Sequence, residues 1–394
     1  MNKIYETDSY LRKINTIVNT CQTDGEEILL TLRDTILFPK EGGQNADTGS
    51  LICTDGRCTK VYGGELKDNE IYYKVSEYIA PGTHVEVLLD WESRYMRMQQ
   101  HSAEHILSGI IHSEFGYDNV GFHLSDQEAV TVDLNGILSD ADLKSIEMKV
   151  NKVICENLPI TDSYPTEEEL KNIDYRSKID ISGQVRLITI GNESKTVDIC
   201  ACCAPHLKNT GEAGLLKIIN SINYKGGTRL FILCGFRAFE YLSHEHDMLK
   251  NLALSFSSSI EDVPVKIHSL KAELTQSHEK LRNIMEYDLT SQINNMNSSD
   301  IPCVFLDESS SDMMKLAYNT LAGRFPDKYV GVFLGNDRDG YRYNIGNPLL
   351  DSLKLSDDIK TSLTARGGGN NQMLQGMARS SQDSIARFFI NLNS

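Results

Sequence analysis

Residues 94–116 read RYMRMQQHSAEHILSGIIHSEFG. Ala103, Ile106, Leu107, Ile110, Ile111 and Phe115 recur at steps of three and four, the period of an α-helix, and Gly116 stands where such a helix stops. On that helix His101 and His105 are four apart, so their rings project from one face and can share one ion. His112 lies on the same stripe, but about 10 Å further along the axis, and reads as an ordinary surface histidine.

Upstream, short apolar runs alternate with turn signals: EEILLTLRDTILFP, EGGQNADTG, SLICTDGRCTKVYGG and NEIYYKVSEYIAPGTHVEVLLDW. The β-branched content and the Gly and Asp-Gly punctuation predict a mostly antiparallel unit over 1–92, a small β-barrel. Downstream, AVTVDLNG, VRLITIG and GLLKIINSINYKGGTRLFILCG read as strands among the helix-like runs SDADLKSIEMKVNKVICENL and TEEELKNI. Residues 93–240 are therefore expected to form an α+β domain whose sheet is covered on one face.

Over 241–297 the pattern is helical. Ile267, Leu270, Leu274, Leu281 and Ile284 alternate steps of three and four, Ser277 fills the missing seam position, and Asp262 and Pro264 are start signals. About three heptads suit packing within the chain better than a long rod, and leave room for a homodimer. Residues 298–394, with IPCVFLD, KYVGVFLGN, YRYNIG and two helical stretches, predict a small α/β domain that carries ARGGGNNQMLQGMA. The fold class is α+β.

The 394 residues, 40% hydrophobic and 24% charged, fit two or three globular domains. No secretory h-region opens the chain and no apolar run is long enough to span a membrane, so a cytoplasmic protein without a membrane partner is expected. Against 39 Lys and Arg stand 55 Asp and Glu, a net charge of -16 that excludes coating of nucleic acid by bulk electrostatics. Nine cysteines are too few for a disulfide scaffold, yet Cys200, Cys202 and Cys203 cluster near His206, a pattern that points to a metal.

In ICACCAPHLKNTG, Cys202 and His206 have the spacing C-x3-H, with Pro205 stiffening the turn. Joined to His101 and His105 they supply three nitrogens and one thiolate, a set that suits tetrahedral zinc better than magnesium or calcium. The register in this loop stays open. Cys200 and Cys203 are also within reach, although adjacent residues of an extended segment point to opposite sides, so Cys202 and Cys203 do not ligate together. A competing reading takes His101-Ser102-Ala103-Glu104-His105 as the H-x-x-E-H pattern of a zinc peptidase with Glu104 as general base; it leaves the CCAPH loop and the glycines at 42 and 43 without a role. Glu104, turned about 100° from His105 on a helix, is otherwise expected to pair with solvent or Arg97.

The order PKEGGQNADTG, MRMQQHSAEHIL, CCAPHLKNTGEAGLLKI, ARGGGNNQMLQGMA resembles the freestanding alanyl-tRNA editing proteins (the AlaX family, long form), relatives of the alanyl-tRNA synthetase editing domain. The resemblance covers nearly the whole chain. It implies one zinc per chain on His101, His105, Cys202 and His206, a substrate-selecting role for Gly42, Gly43 and Gln44, and a C-terminal DHHA1 domain over 298–394 marked by Gly367, Gly368 and Gly369. The family loop C-G-G-T-H is here Cys202-Cys203-Ala204-Pro205-His206, which keeps the ligand positions but changes the wall that Cys203 forms beside them. The implied reaction is hydrolysis of the ester in tRNA(Ala) mischarged with serine or glycine, with serine the main substrate. A synthetase pocket cut for alanine rejects these neighbours by only about 1–3 kcal/mol, whereas a second site that bonds the serine hydroxyl can reject alanine. Glu104 and His123 are candidate proton carriers. A local positive path for the tRNA end is expected along Lys208, Lys217, Lys225 and Arg229, and at Arg366, Arg379 and Arg387 in the last helical stretches. A non-catalytic, zinc-stabilised tRNA-binding module is the remaining alternative.

Overall fold

A computed structural model of the chain describes residues 2–177, 184–307 and 311–394, which form two compact units, 1–251 and 252–394. In the first unit six strands close an antiparallel barrel: β1 (Lys13–Asp24), β2 (Glu27–Leu32), β3 (Gly49–Cys53), β4 (Cys58–Lys67), β5 (Glu70–Val75) and β6 (His84–Leu89), in the order β1-β2-β5-β4-β3-β6. Their alternating inward residues, among them Val18, Leu30, Leu51, Val61, Ile71, Tyr73, Val85 and Val87, make one core, as period-two patterning requires.

The helix read at the outset, α1 (Trp91–Phe115), follows the barrel directly. Asp90 caps it by accepting from the Ser93 N–H, and Gly116 ends it in the left-handed conformation with φ +67°. It is buried on every side from Arg94 to Ile111 except at Tyr95 and Met96, and its apolar stripe joins a second core with α2 (Asp140–Glu156) and two sheets. Those sheets replace the single covered sheet expected from the strand spacing. One has the order β12 (Leu216–Tyr224), β13 (Gly227–Cys234), β8 (Val130–Leu134), β7 (Asn119–His123); the other is β9 (Ile160–Ser163), β10 (Leu187–Asn192), β11 (Lys195–Ala201). The period of each strand was legible, but which strands pair is settled by contacts far apart in sequence.

Helix α3 (Gly235–Ser255) ends the first unit and runs into the second. There α4 (Val263–Asn294) starts with Pro264 in its first turn, as its sequence predicts. Leu270, Leu274, Leu281 and Ile284 are 55–65% exposed, so the heptad seam does not pack within the second unit, contrary to the preferred expectation. A mixed sheet follows, β14 (Cys303–Leu306), β15 (Val330–Asn336), β16 (Gly340–Gly346), β18 (Met373–Ala378), β17 (Ala365–Gly369), with α5 (Ser311–Arg324) and α6 (Gln382–Leu392). Arg366 lies on edge strand β17 and not in a helix, because the three following glycines are poor helix formers and pair with β18. Among the described residues no helix is long and apolar enough to cross a membrane.

Candidate metal centre

The polar residues of α1 do not face solvent. Gln100 bonds both the N–H and the carbonyl of Cys234, and Gln99 donates to the Glu212 carbonyl, which ties the helix to β13 and the segment after the CCAPH loop. Arg94, fully buried, holds Asp47 through a paired guanidinium contact and donates to the Ser9 and Ile36 carbonyls; Arg97 reaches Asp126 at 2.6 and 2.9 Å. Asp47 in turn accepts from the Phe38 N–H at 2.7 Å. Through Asp47 the glycine-bearing loop at 40–48 is fixed against the first turns of α1.

That loop turns at Glu41-Gly42-Gly43-Gln44, closed by Gln44 N–H to the Glu41 carbonyl at 3.0 Å, with φ of +60° at Gly42 and +82° at Gly43. Two left-handed residues in sequence are the mark of a type I′ turn and favour glycine. At Gly43 a side chain would also strike the Phe122 carbonyl, 2.6 Å from the Cβ position; at Gly42 its nearest neighbour would be Cys203 Sγ at 3.9 Å. The turn delivers buried Gln44 to the helix, where Oε1 accepts from His101 Nδ1 at 2.8 Å.

The strand β11 arrives from the other side. Gly109 lets it lie directly on α1, since a Cβ there would meet the Val197 carbonyl at 2.6 Å and Asp198 Cβ at 2.7 Å. Asp198 therefore faces His105 Nδ1 at 3.4 Å while Arg176 grips its carboxylate with two bonds of 2.7 Å. After Ala201 the chain leaves the strand, and Arg186 steadies the turn by donating to the Cys202 and Ala204 carbonyls at 3.3 and 2.8 Å. Ser9 donates to the His206 carbonyl, and Ser102 binds both His206 Nδ1 and the Leu207 N–H at 3.1 Å.

His101, His105, Cys202 and His206 thus offer four ligand atoms, all within 4.8 Å of one another. Cys202 Sγ is 3.7 Å from His101 Nε2 and 3.3 Å from His206 Nε2. A tetrahedral zinc with bonds near 2.0 and 2.3 Å sets its nitrogen and sulfur ligands about 3.6 Å apart, so these spacings fit one ion. Each imidazole has its Nδ1 engaged by Gln44, Asp198 or Ser102, which orients Nε2 inward; such outer partners are what metal-bound histidines require. Burial pushes the Cys202 thiol up, but the His101 and His206 rings outweigh it and hold the thiol well below its usual range; burial lowers His206 to about 3. A sulfur poised as thiolate and a neutral His206 are forms that ligate, whereas at His105 burial is outweighed by the pull of Cys200 and Asp198, which holds the ring well above its usual range, so it must give up a proton to an ion.

The three cysteines of the loop face different ways, and His105, Asp198 and Cys200 form a second group able to hold an ion. Cys200 lies against His105 Nδ1, and burial raises its thiol to about 11; Cys203 points the other way, toward Gly42 and the barrel core. Glu104 does not reach solvent or Arg97: it is buried, Oε1 accepting from Ser108 and Asn119, and Oε2 lies 4.0 Å from His105 Nε2. Because Phe122 lies tilted against His101 with ring centres 4.9 Å apart, strand alternation turns His123 away from the cluster, and it is exposed. His112 is a surface residue bonded to Asp118. Of the basic candidates, Lys208 is exposed, whereas Lys217 is paired with Glu147 and Arg229 with Asp133. Arg366, Gly367, Gly368 and Gly369 belong to the second unit, exposed on β17. Sequence reading missed Asp47, Arg94 and Asp198; an unbroken run of polar residues around a helix otherwise rich in apolar ones was the available signal.

Residues 185–230 match the family described as the threonyl and alanyl tRNA synthetase second additional domain. The alanyl-tRNA editing protein AlaX-L of Pyrococcus horikoshii is 24% identical over 98% of this chain and 96% of its own length, and the mouse alanyl-tRNA editing protein Aarsd1 is 23% identical over 95% and 93%. The alanine–tRNA ligase of Thermofilum pendens is 26% identical over 90% of this chain but only 40% of the ligase. The chain is thus similar from end to end to freestanding alanyl-tRNA editing proteins of the AlaX type, similar to part of the ligase, and matches the second additional domain over 185–230.

Proposed function

We propose that the chain is a trans-editing hydrolase that cleaves the ester between tRNA(Ala) and a wrong amino acid, chiefly serine and also glycine, in the cytoplasm. One zinc ion per chain would be held by His101, His105, Cys202 and His206. The observation that carries this reading is the convergence of three separate segments on one centre: Gln44 of the glycine turn holds His101, which stands with His105 against Cys202 and His206. When bound, zinc supplies Lewis acidity toward an ester carbonyl or a water molecule.

The chain's own residues supply the rest. Gln44 is 1% exposed, and among the described residues its Nε2 has no hydrogen-bond partner while Oε1 is spent on His101, so a donor waits beside the cluster for a substrate oxygen. A buried donor of this kind favours the serine hydroxyl, because alanine leaves it unpaired. Gly42 and Cys203 wall the same side. Of the two proton carriers, Glu104 has the better position, beside His105, whereas His123 faces outward.

In this reading residues 1–92 are the barrel that carries the selecting loop, 93–240 the deacylase domain, 241–297 the helical connector and 298–394 a DHHA1-like domain. Lys208 and Lys217 in the first unit, and Arg366 with Gly367–Gly369 in the second, would meet tRNA. The exposed seam of α4 would support a homodimer. A peptidase needs a further ligand, usually acidic, where Cys202 and His206 stand, and needs Glu104 free of the bonds from Ser108 and Asn119. Deacylation of seryl-, glycyl- and alanyl-tRNA(Ala), with and without chelator, tests the proposal: hydrolysis of the first two, sparing of the third and loss with chelator are expected. Cys202→Ala should lower zinc content and deacylation together, and full retention of both sinks the assignment.

A further inference from the structure

Next to the metal-binding loop, three rings form a ladder on the surface of the first unit. Tyr10 and Trp91 have centres 5.3 Å apart, Trp91 and Tyr95 5.5 Å. The middle ring and one end ring each carry a cation. The Arg12 guanidinium sits 4.2 Å over the Trp91 ring and Lys208 Nζ lies 4.6 Å over the Tyr10 ring. The ladder is tied to the centre: the Lys208 N–H donates to the Tyr10 hydroxyl at 3.2 Å, Ser9 holds the His206 carbonyl, and Lys208 is two residues from His206.

The two cations differ from their neighbours. Arg94, Arg97, Arg176, Lys217 and Arg229 are all neutralised by carboxylates. Arg12 and Lys208 are exposed and, among the described residues, have aromatic faces in place of ion pairs; the nearest acid in the ladder, Glu212, is engaged by the Tyr10 hydroxyl. A ring face attracts a cation without cancelling its charge, and it limits the rotamers of a long side chain. In a chain of net charge -16, two unneutralised cations held on adjacent rings beside the candidate centre suit a polyanion whose contacts must be local.

We infer that the Arg12–Trp91–Tyr10–Lys208 edge is a lip that binds backbone phosphates of a single-stranded RNA end and leads it to the metal centre. The inference rests on the proposed tRNA substrate and adds a place of entry, with Arg12 and Trp91 as new participants. Single-stranded nucleic acid is commonly held by this pairing of cations with aromatic rings.

Trp91 is the single tryptophan of the chain, so its emission reports this edge without a label. The zinc-loaded full chain is titrated with an acceptor-stem minihelix of tRNA(Ala), with and without its unpaired 3′ nucleotides, at several salt concentrations. The minihelix with the 3′ end should change Trp91 emission and the truncated one should not. Arg12→Gln and Lys208→Gln should each lower the slope of log affinity against log salt by about 0.7, the share of one single-strand phosphate contact, while zinc content stays at the wild-type value. A purely structural Arg12 would lower thermal stability and leave the slope unchanged. If the wild type binds and deacylates but neither variant changes the slope, the lip is overturned and the proposed function stands. If the wild type neither binds the minihelix nor hydrolyses seryl-tRNA(Ala), the proposed function falls and the lip with it.

Discussion

Replacing Asp47 by Asn removes one negative charge from the most buried ionic contact of the molecule and leaves the side-chain shape almost unchanged. The side chains of Arg94 and Asp47 are 0% and 1% exposed, and Arg97, 4% exposed, lies 3.5 Å from the same carboxylate. With Asp47 neutral, Arg94 keeps only neutral acceptors, the Ser9 and Ile36 carbonyls among them, while Arg97 keeps the carboxylate of Asp126. Breaking a buried pair by removing one partner costs about 3–5 kcal/mol, because the remaining charge cannot be resolvated. For a unit of this size, where about 1 kcal/mol moves the midpoint by roughly 2–4 °C, the first unit should melt about 6–20 °C lower. Differential scanning calorimetry of the full chain, with hydrogen exchange on α1 to assign the transition, measures this. Glu27→Gln is the reference: its pair with Lys74 is half exposed, and such pairs are worth about 0.2–1 kcal/mol. If Asp47→Asn melts no lower than Glu27→Gln, the buried contact does not brace the loop and helix as argued.

Asp198→Asn keeps the volume but weakens the acceptor for His105 Nδ1 and the grip of Arg176; zinc affinity, read by competition with a chromophoric chelator, should fall about 10–100-fold, and unchanged affinity would mean that Asp198 does not orient the ring. Gly43→Ala should be worse than Gly42→Ala for both stability and deacylation. Both incur the φ > 0 strain of about 1–3 kcal/mol, but only at residue 43 does the new Cβ meet the Phe122 backbone, displacing the ring packed against His101; equal behaviour of the two variants in thermal melts and assays would refute the close approach.

By itself the sequence determined the local elements and the chemistry of the candidate ligands. Period-two runs with glycine punctuation sufficed for the barrel strands, and the step of four between His101 and His105 sufficed for one half of the centre, because both follow from backbone geometry within a few residues. The C-x3-H spacing of Cys202 and His206 was equally legible. Only the tertiary structure sets Cys202 beside His101 and His206 and Cys200 against His105, since Cys200, Cys202 and Cys203 are alike in composition and differ in the direction imposed by the end of β11. It alone placed Gln44 on His101 and Asp198 on His105, through Asp47, Arg94 and Gly109, residues that carry no metal-binding signal and act by close packing between segments 50 to 100 residues apart. The α4 seam shows the reverse limit. Its heptad pattern specifies an apolar stripe, but not what covers it, and within the second unit Leu270, Leu274, Leu281 and Ile284 stay exposed because a helix pattern encodes a face and not a partner.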